Sequence, residues 1–470
     1  MNKYLFFDGR LVNAYGITNA KLRLNKLKKD NNVFFKEDFF SENPKKWEVR
    51  YDNSYPNVIY DKLDKKFKVY YTLFIKDTES ATNSLEDRVA KKYTPKSGRI
   101  TAVCYAESKD GVNWIKPNLG LVNFEGSTDN NILMKHAHGT GVFLDEEEKD
   151  ENKRYKLITK LEYNNKNHFM AVAFSKDGIN FTKPIEWPKH NPQADTHNFP
   201  FRDKKTGKFV LITRLWSDGV RLVAKCESDD FINWSEPVEI ARGRGFFEQI
   251  YSMPIFQYED YYLGLASIYH EGDTTLDEYD LVDCALMYST KLKGVERICN
   301  DEYFIERGQG KYPNGEFDCG CIYASAPIEI EDKLYFYYMG GNGQHTNFRE
   351  TSFSRGYVEK DKFAYYEERN KDLEGLVPTR SVYVFGEELN IKADILENGY
   401  IEVSVRKENG EEIDGFSYED CIINRNDGTY KITFKNKSMR ELIGENVVFN
   451  IRFKNAKLYA FEGEIIINRK

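Results

Sequence analysis

Ala106-Glu-Ser108-Lys-Asp110-Gly111-Val-Asn-Trp114 returns as Ala173-Phe-Ser175-Lys-Asp177-Gly178-Ile-Asn-Phe181, and again as Cys226-Glu-Ser228-Asp-Asp230-Phe-Ile-Asn-Trp234. Three copies of Ser-x-Asp, each with an aromatic six residues after the Ser, mark an internal repeat, and a repeat constrains the fold before any single motif does. Degenerate copies follow at Met287-Tyr-Ser289 and Phe353-Ser354-Arg-Gly356, so that Ser108, Ser175, Ser228, Ser289 and Ser354 are spaced 67, 53, 61 and 65 residues apart. Five units of roughly sixty residues result.

Ahead of each Ser motif stands a pair of short runs rich in β-branched and aromatic residues, joined by a charged or Gly-containing turn. They are Val58–Asp61 with Phe67–Tyr71, Val142–Asp145 with Tyr155–Ile158, Phe199–Asp203 with Phe209–Ile212, Pro254–Phe256 with Tyr261–Leu263, and Pro327–Ile328 with Leu334–Tyr338. That composition is the signature of strands. Four strands per unit, with the Ser-x-Asp-Gly turn opening the last hairpin, is the pattern of a propeller blade. The expectation is an all-β chain: a five-bladed β-propeller over 50–375, preceded by a lead-in over 1–49 whose Phe34, Phe35, Phe39 and Phe40 pack on it. A small β-sandwich over 376–470 follows, from the alternating runs Val382–Phe385, Leu389–Ile391, Ile401–Val405, Tyr430–Phe434, Val447–Ile451 and Leu458–Phe461. The repeated Asp110, Asp177 and Asp230 read as turn residues bonding their own backbone, and the following Trp or Phe as packing between sheets.

Composition narrows the function. The 470 residues carry 68 basic and 75 acidic side chains, a net charge of −7, with both signs scattered. This argues against nucleic acid or an anionic membrane as partner. No apolar run approaches the roughly 18 residues of a membrane span. The start, Met1-Asn2-Lys3-Tyr4-Leu5-Phe6-Phe7-Asp8, has an apolar stretch of four residues that closes on a charge, and shows no export signal. The seven cysteines lack a CxxC pair and suit reduced thiols in the cytoplasm. In Cys319-Gly-Cys321 the single intervening residue suits alternate positions on a strand better than a metal pair.

A propeller's first strands surround a central channel, so residues just ahead of each first strand gather at one mouth. Counting back from the hairpin turn, Asp52 lies nine before Asp61, His136 nine before Asp145, Asp195 eight before Asp203 and Glu248 eleven before Glu259, with Glu316 and Asp318 somewhat further back in the fifth unit. Carboxylates that share a partly desolvated pocket push one another's pKa values apart. That is the requirement of glycosidic cleavage, in which an acid protonates the leaving oxygen while a carboxylate attacks directly or through water. Tyr55, His138, His197, Trp216, Tyr251 and His345 suit sugar stacking and hydroxyl recognition. Alternatively, some acids pair with Arg202, Arg214 or Arg242 as structural ion pairs.

With these residues in place, the chain resembles the glycoside hydrolases of family 32 and the related family 43. Asp52-Asn53-Ser54-Tyr55-Pro56-Asn57 is similar to the family motif Asn-Asp-Pro-Asn-Gly, which implies Asp52 as nucleophile or base. Ala194-Asp195-Thr196-His197 stands where the Arg-Asp-Pro motif is expected and implies Asp195 as a stabiliser holding sugar hydroxyls. Glu248-Gln249 is similar to the Glu-Cys motif and implies Glu248 as general acid. The stretch Gly120 to Ile132 also looks like one found in family-32-like proteins without an assigned substrate. The resemblance implies a small carbohydrate as partner, and no cofactor or metal. A non-catalytic sugar-binding propeller is the alternative from another class. A phosphate-dependent phosphorylase is a third, with Arg214, Arg242 and His197 around the phosphate.

Overall fold

The computed structural model describes residues 1–163, 167–192, 194–425 and 428–467. It is almost entirely β. Among the described residues the α-helices are two short ones, Thr78–Thr82 capped by Asp77 and Leu85–Ala90 capped by Ser84. No helix among them is long and apolar enough to cross a membrane. The chain divides into two compact units, one of residues 27–297 and 303–357, the other of residues 1–26, 298–302 and 358–470. Residues 1–49, read above as one segment, are therefore divided after Lys26.

The larger unit repeats one antiparallel meander. Asn57–Asp61, Lys66–Lys76, Ile100–Ser108 and Trp114–Ile115 form the first sheet, and Ile132–Lys135 adds to its third strand. Ala137–Leu144, Tyr155–Tyr163, Asn167–Ser175 and Ile185–Glu186 form the second. Phe199–Arg202, Phe209–Ser217, Val220–Ser228 and Val238–Arg242 form the third. A fourth meander runs Glu248–Ser252 and Ile255–Tyr258, Tyr261–His270, Val282–Ser289, Glu296–Arg297. A fifth runs Cys321–Ala324 and Ile328–Ile330, Lys333–Gly341, Thr351–Glu359, and takes its outer edge from Lys28–Lys29 and Phe35–Lys36. These last two meanders join in one sheet through the pair Val282 and Cys321. The first strands or entry segments of all five line one cavity of about 420 Å³, including Val58, Val142, Phe199, Ile255 and Ser325.

The repeated motif is a hydrogen-bonding device. In the first copy, Asp110 Oδ1 accepts from the backbone N–H groups of Val112 (2.9 Å) and Asn113 (2.7 Å), while Ser108 Oγ accepts from Gly111 N–H (2.9 Å). Asp177 repeats this with Ile179 and Asn180, and Asp230 with Ile232 and Asn233. The residue after each Asp has a left-handed backbone, with φ of 73° at Gly111, 77° at Gly178 and 66° at Phe231. Phe231 bears that strain where the other copies have glycine, and its ring packs against Phe143, Phe174 and Phe209 at 5.3–5.9 Å between centroids.

The first four sheets are tied in succession by the acid that ends the first strand of each of the first three. Asp61 is buried and accepts from Tyr155 Oη (2.5 Å) and Arg154 (3.2 Å) of the second sheet. Asp145 takes Arg202 (2.6 Å) of the third sheet, and Asp203 takes Tyr262 Oη (2.8 Å) and Gln257 (2.7 Å) of the fourth. Contacts also run from the fifth sheet to the first, where Tyr337 Oη donates to Gly111 O (2.9 Å) and Val58 N–H donates to Ser325 Oγ (3.0 Å).

In the smaller unit one eight-stranded sheet includes Asn2–Leu5, Ala20–Leu24 and two long strands, Val382–Lys407 and Asn446–Ile467, which pair from Leu389 with Gly463 to Lys407 with Val447. The runs that read as five separate strands are continuous here. Their interruptions, such as Gly386 to Glu388 and Asn455, are bulges rather than ends: the strand continues beyond each with its buried set displaced by one residue, from Val384 to Leu389 and from Phe453 to Ala456.

Two glycines separate backbone strain from steric exclusion. Gly207 (φ 74°) has open space where a Cβ would stand, whereas at Gly178 (φ 77°) a Cβ would lie 2.3 Å from Tyr70 Oη. Urea unfolding should show Gly207→Ala costing about 1 kcal/mol and Gly178→Ala about 1–3 kcal/mol more.

Candidate functional site

Asp52 sits in a strained loop just ahead of the first strand of the first sheet. Three of its residues, Asp52, Ser54 and Tyr55, have φ of 55°, 56° and 42°, a conformation that costs energy in non-glycine residues and persists only where the surroundings enforce it. Ser54 Oγ donates to Tyr51 O (2.7 Å), Thr72 N–H donates to Ser54 O (2.7 Å) and Thr351 Oγ1 donates to Asp52 O (3.0 Å). So held, Asp52 Oδ1 receives Arg349 Nη2 (3.0 Å) together with Arg50 Nε (3.2 Å) and Nη2 (3.1 Å). Burial opposes the charge, but Arg349 and then Arg50 outweigh it, and the carboxyl lies well below the usual carboxylate range. All three arginine bonds fall on Oδ1, and the side chain keeps 23 % of its surface exposed.

Around this loop the five meanders contribute one set of rings. Tyr55 lies 6.2 Å from His138, 5.6 Å from His197 and 5.8 Å from Tyr323, centroid to centroid. Tyr251 continues the set at 6.1 Å from Tyr323, 4.6 Å from His345 and 6.0 Å from Tyr269. His345 Nδ1 bonds Tyr323 Oη (2.9 Å) and His197 Nε2 bonds Asn57 Oδ1 (3.0 Å). Burial makes these histidines hard to protonate: His138 is pushed down to about 4, and His197 and His345 to about 3, the last helped by Arg349.

Arg214 and Arg221 occupy the next side of the ring. Arg214 is 3 % exposed, lies 5.2 Å from the Trp216 ring and 5.1 Å from Tyr251, and forms an ion pair with Asp195, which is 51 % exposed. Arg221 lies 4.5 Å from Trp216 and 5.3 Å from Tyr251, and donates to Glu271 (2.7 Å) and Gln249 (3.0 Å). Trp216 is about half exposed, so this side of the set meets solvent.

The structure thus brings Asp52, Tyr55, His138, His197, Arg214, Asp195, Trp216, Tyr251 and His345 into one connected cluster. Glu248 faces elsewhere. Strand alternation turns Gln249 and Tyr251 toward the ring, while the Glu248 carboxylate is taken by Arg244 and by Arg297 (2.8 Å). It lines a cleft of about 620 Å³ with His270, Asp283, Tyr303 and Arg307. Glu271 borders this cleft too, and its bond to Arg221 links cleft to ring. Asp318 is buried against Lys29 (2.7 Å) and Tyr338 Oη (2.9 Å). His136, with φ 61°, bridges sheets through its backbone, its N–H to Thr101 O (2.7 Å) and its carbonyl from Glu162 N–H (2.8 Å). Arg242 pairs with Glu239 (2.6 Å) at the surface, and Arg202 with Asp145.

Sequence reasoning missed Arg50, Arg349, Arg221, Glu271 and Tyr323. Arg50 was within reach, two residues from Asp52; Arg349 lies beyond the second strand of the fifth meander, where the count back from a first strand does not look.

No family model matches the chain, and no curated protein matches it. Among solved structures, it is similar to an N-acetylgalactosamine deacetylase from F. plautii in complex with blood group B trisaccharide: 12 % identity over 73 % of this chain and 96 % of that one, TM-score 0.45. A thermostable family-43 glycoside hydrolase is similar at 13 % identity over 67 % of this chain and 94 % of that one, TM-score 0.47. A structure from glycoside hydrolase family 130, a family of mannoside phosphorylases that contains hydrolases targeting β-1,2-mannosidic linkages in Candida mannan, is similar at 14 % identity over 71 % and 94 %, TM-score 0.44.

The buried histidines set a pH dependence of stability. Each has a folded pKa below its unfolded value, so the unfolded chain binds the extra proton and stability falls as pH drops below about 6.5. His197→Gln should reduce the slope of unfolding free energy against pH, measured in urea between pH 6 and 4.5, by about 1.4 kcal/mol per unit.

Proposed function

We propose that this protein is a glycoside hydrolase of small oligosaccharides or furanosides, a five-bladed propeller over 50–375 with its site at the Asp52 ring, followed by a β-sandwich over 376–470. The observation that supports it is the convergence of one ionised carboxylate, Asp52, with side chains from all five meanders, among them Tyr55, Tyr251 and the half-exposed Trp216. The half-exposed Trp216 face suits the CH face of a sugar, and the Asp195 and Arg214 pair suits its hydroxyls.

In this reading Asp52 attacks the anomeric carbon or takes the proton of the attacking water, because its charge persists at any working pH. Asp195 orients hydroxyls. Glu248 is the acid, and the adjoining cleft of about 620 Å³ receives the leaving group. For Glu248 to donate a proton to a sugar held at Asp52, both Arg244 and Arg297 must release its carboxylate and the side chain must turn from the cleft toward the ring.

A phosphate-dependent version has its own support. Arg50, Arg349, Arg214 and Arg221 crowd the ring, and Arg214 Nε and Nη1 and Arg221 Nε lack hydrogen-bond partners, a donor set that suits an oxyanion co-substrate.

The test is a screen of nitrophenyl furanosides and pyranosides with and without inorganic phosphate. Hydrolysis is expected without phosphate, and Asp52→Asn, checked for folding by circular dichroism, should lower turnover by about 10³ or more. Glu248→Gln should lower it most for poor leaving groups. Turnover only with phosphate selects the phosphorylase; calorimetric sugar binding with no turnover selects a binding protein. Full activity in a folded Asp52→Asn variant would remove the assignment.

A further inference from the structure

A second cavity, of about 840 Å³, lies beside residues 33–41, within the range of small-molecule pockets. Its wall is unusually aromatic: Phe34, Phe35, Phe39, Phe40 and Phe317, with Leu85 from the helix Leu85–Ala90. At its polar end lies Arg88, 2 % exposed, with its guanidinium 5.0 Å from the Phe40 ring and 5.4 Å from Phe348. Nη1 donates to Glu350 (3.2 Å) and Nη2 to Ser80 O (2.8 Å), but the Nε–H has no partner. The guanidinium stands at the cavity wall with Glu350 bonded to it, and an anionic group brought by a ligand would add a second partner for its charge.

Glu37 borders the same cavity, with Oε1 accepting Tyr51 N–H (2.8 Å). Burial, against the attraction of Arg88 and with the repulsion of Glu350, pushes its carboxyl up to about 7; Arg50 pulls the other way. Near neutral pH much of it is protonated and can donate a hydrogen bond. Glu350 already accepts from Arg88 and from Asn342 Nδ2 (3.0 Å). A cationic ligand would meet Arg88 and Lys36, and a neutral apolar one would bring no second partner for the arginine charge.

We propose that this cavity binds an apolar monocarboxylate, its aromatic or alkyl body against the phenylalanines and its carboxylate beside the Arg88 guanidinium and the Glu37 carboxyl. The site is separate from the Asp52 ring and stands whether or not the glycosidase reading does.

Calorimetric titration of the full chain at pH 6 with 3-phenylpropionate and with 3-phenyl-1-propanol tests it. The acid should bind one to one and the alcohol at least tenfold more weakly. Arg88→Gln should weaken the acid at least tenfold. Leu85→Trp, at an exposed helix position on the cavity wall, should do so by filling it, and decides the matter if the arginine variant fails to fold. No binding of the acid to folded wild-type protein at millimolar concentration, equal binding of the alcohol, or undiminished binding by folded Leu85→Trp would overturn the proposal.

Discussion

A carboxylate at the end of the first strand in each of the first three sheets, bonded to the next sheet, is the constraint on which the larger unit depends. Asp61 to Tyr155 and Arg154, Asp145 to Arg202, and Asp203 to Tyr262 and Gln257 are three versions of one joint. The Asp61 and Asp145 carboxyl pKa values are lowered although burial opposes it, since hydrogen bonds and nearby cations, Tyr155 foremost for Asp61 and Arg202 foremost for Asp145, outweigh the desolvation. Such a pair is costly to half-remove, because one uncompensated buried charge would remain. Each joint therefore sets the placement of one sheet on the next, and with it the approach of entry segments from five distant stretches of chain.

That placement explains the electrostatics of the ring. Asp52 is flanked by Arg50 from its own segment and Arg349 from some three hundred residues later. The pair is what allows a charged carboxylate to persist in a setting that pushes three histidines toward neutrality. Opposite treatment of acid and histidine follows from a single cause, since burial penalises every charge and Asp52 has the guanidiniums of Arg349 and Arg50 to offset the penalty. The unpartnered nitrogens of Arg214 and Arg221 then mark the side of the ring where a polar ligand has most to contribute.

Strand parity separates Glu248 from its neighbours. A side chain's face reverses with every residue along a strand, so a count back from a turn locates a segment to within a residue or two but leaves the face open. Gln249 and Tyr251 reach Arg221 and the ring, while Glu248 meets Arg244 and Arg297 at the adjoining cleft. Asp318 shows the same indeterminacy: its distance from the fifth first strand suited a site, and Lys29 from the N-terminal edge strand claims it.

The amino-acid sequence by itself determined the β character and the repeat, because a Ser-x-Asp turn encodes its hydrogen bonds locally and alternating apolar residues encode strands whatever lies beside them. It also brought Asp52, Tyr55, His138, His197, Trp216, Tyr251 and His345 under one heading. Only the tertiary structure decided which charges stand against which: Arg349 on Asp52, Arg214 on Asp195, Arg297 on Glu248, Lys29 on Asp318. Arg349 and Asp52 come from different meanders and the other pairs from separate segments of one meander, and no local pattern carries the distance between two groups that meet only after the chain has folded.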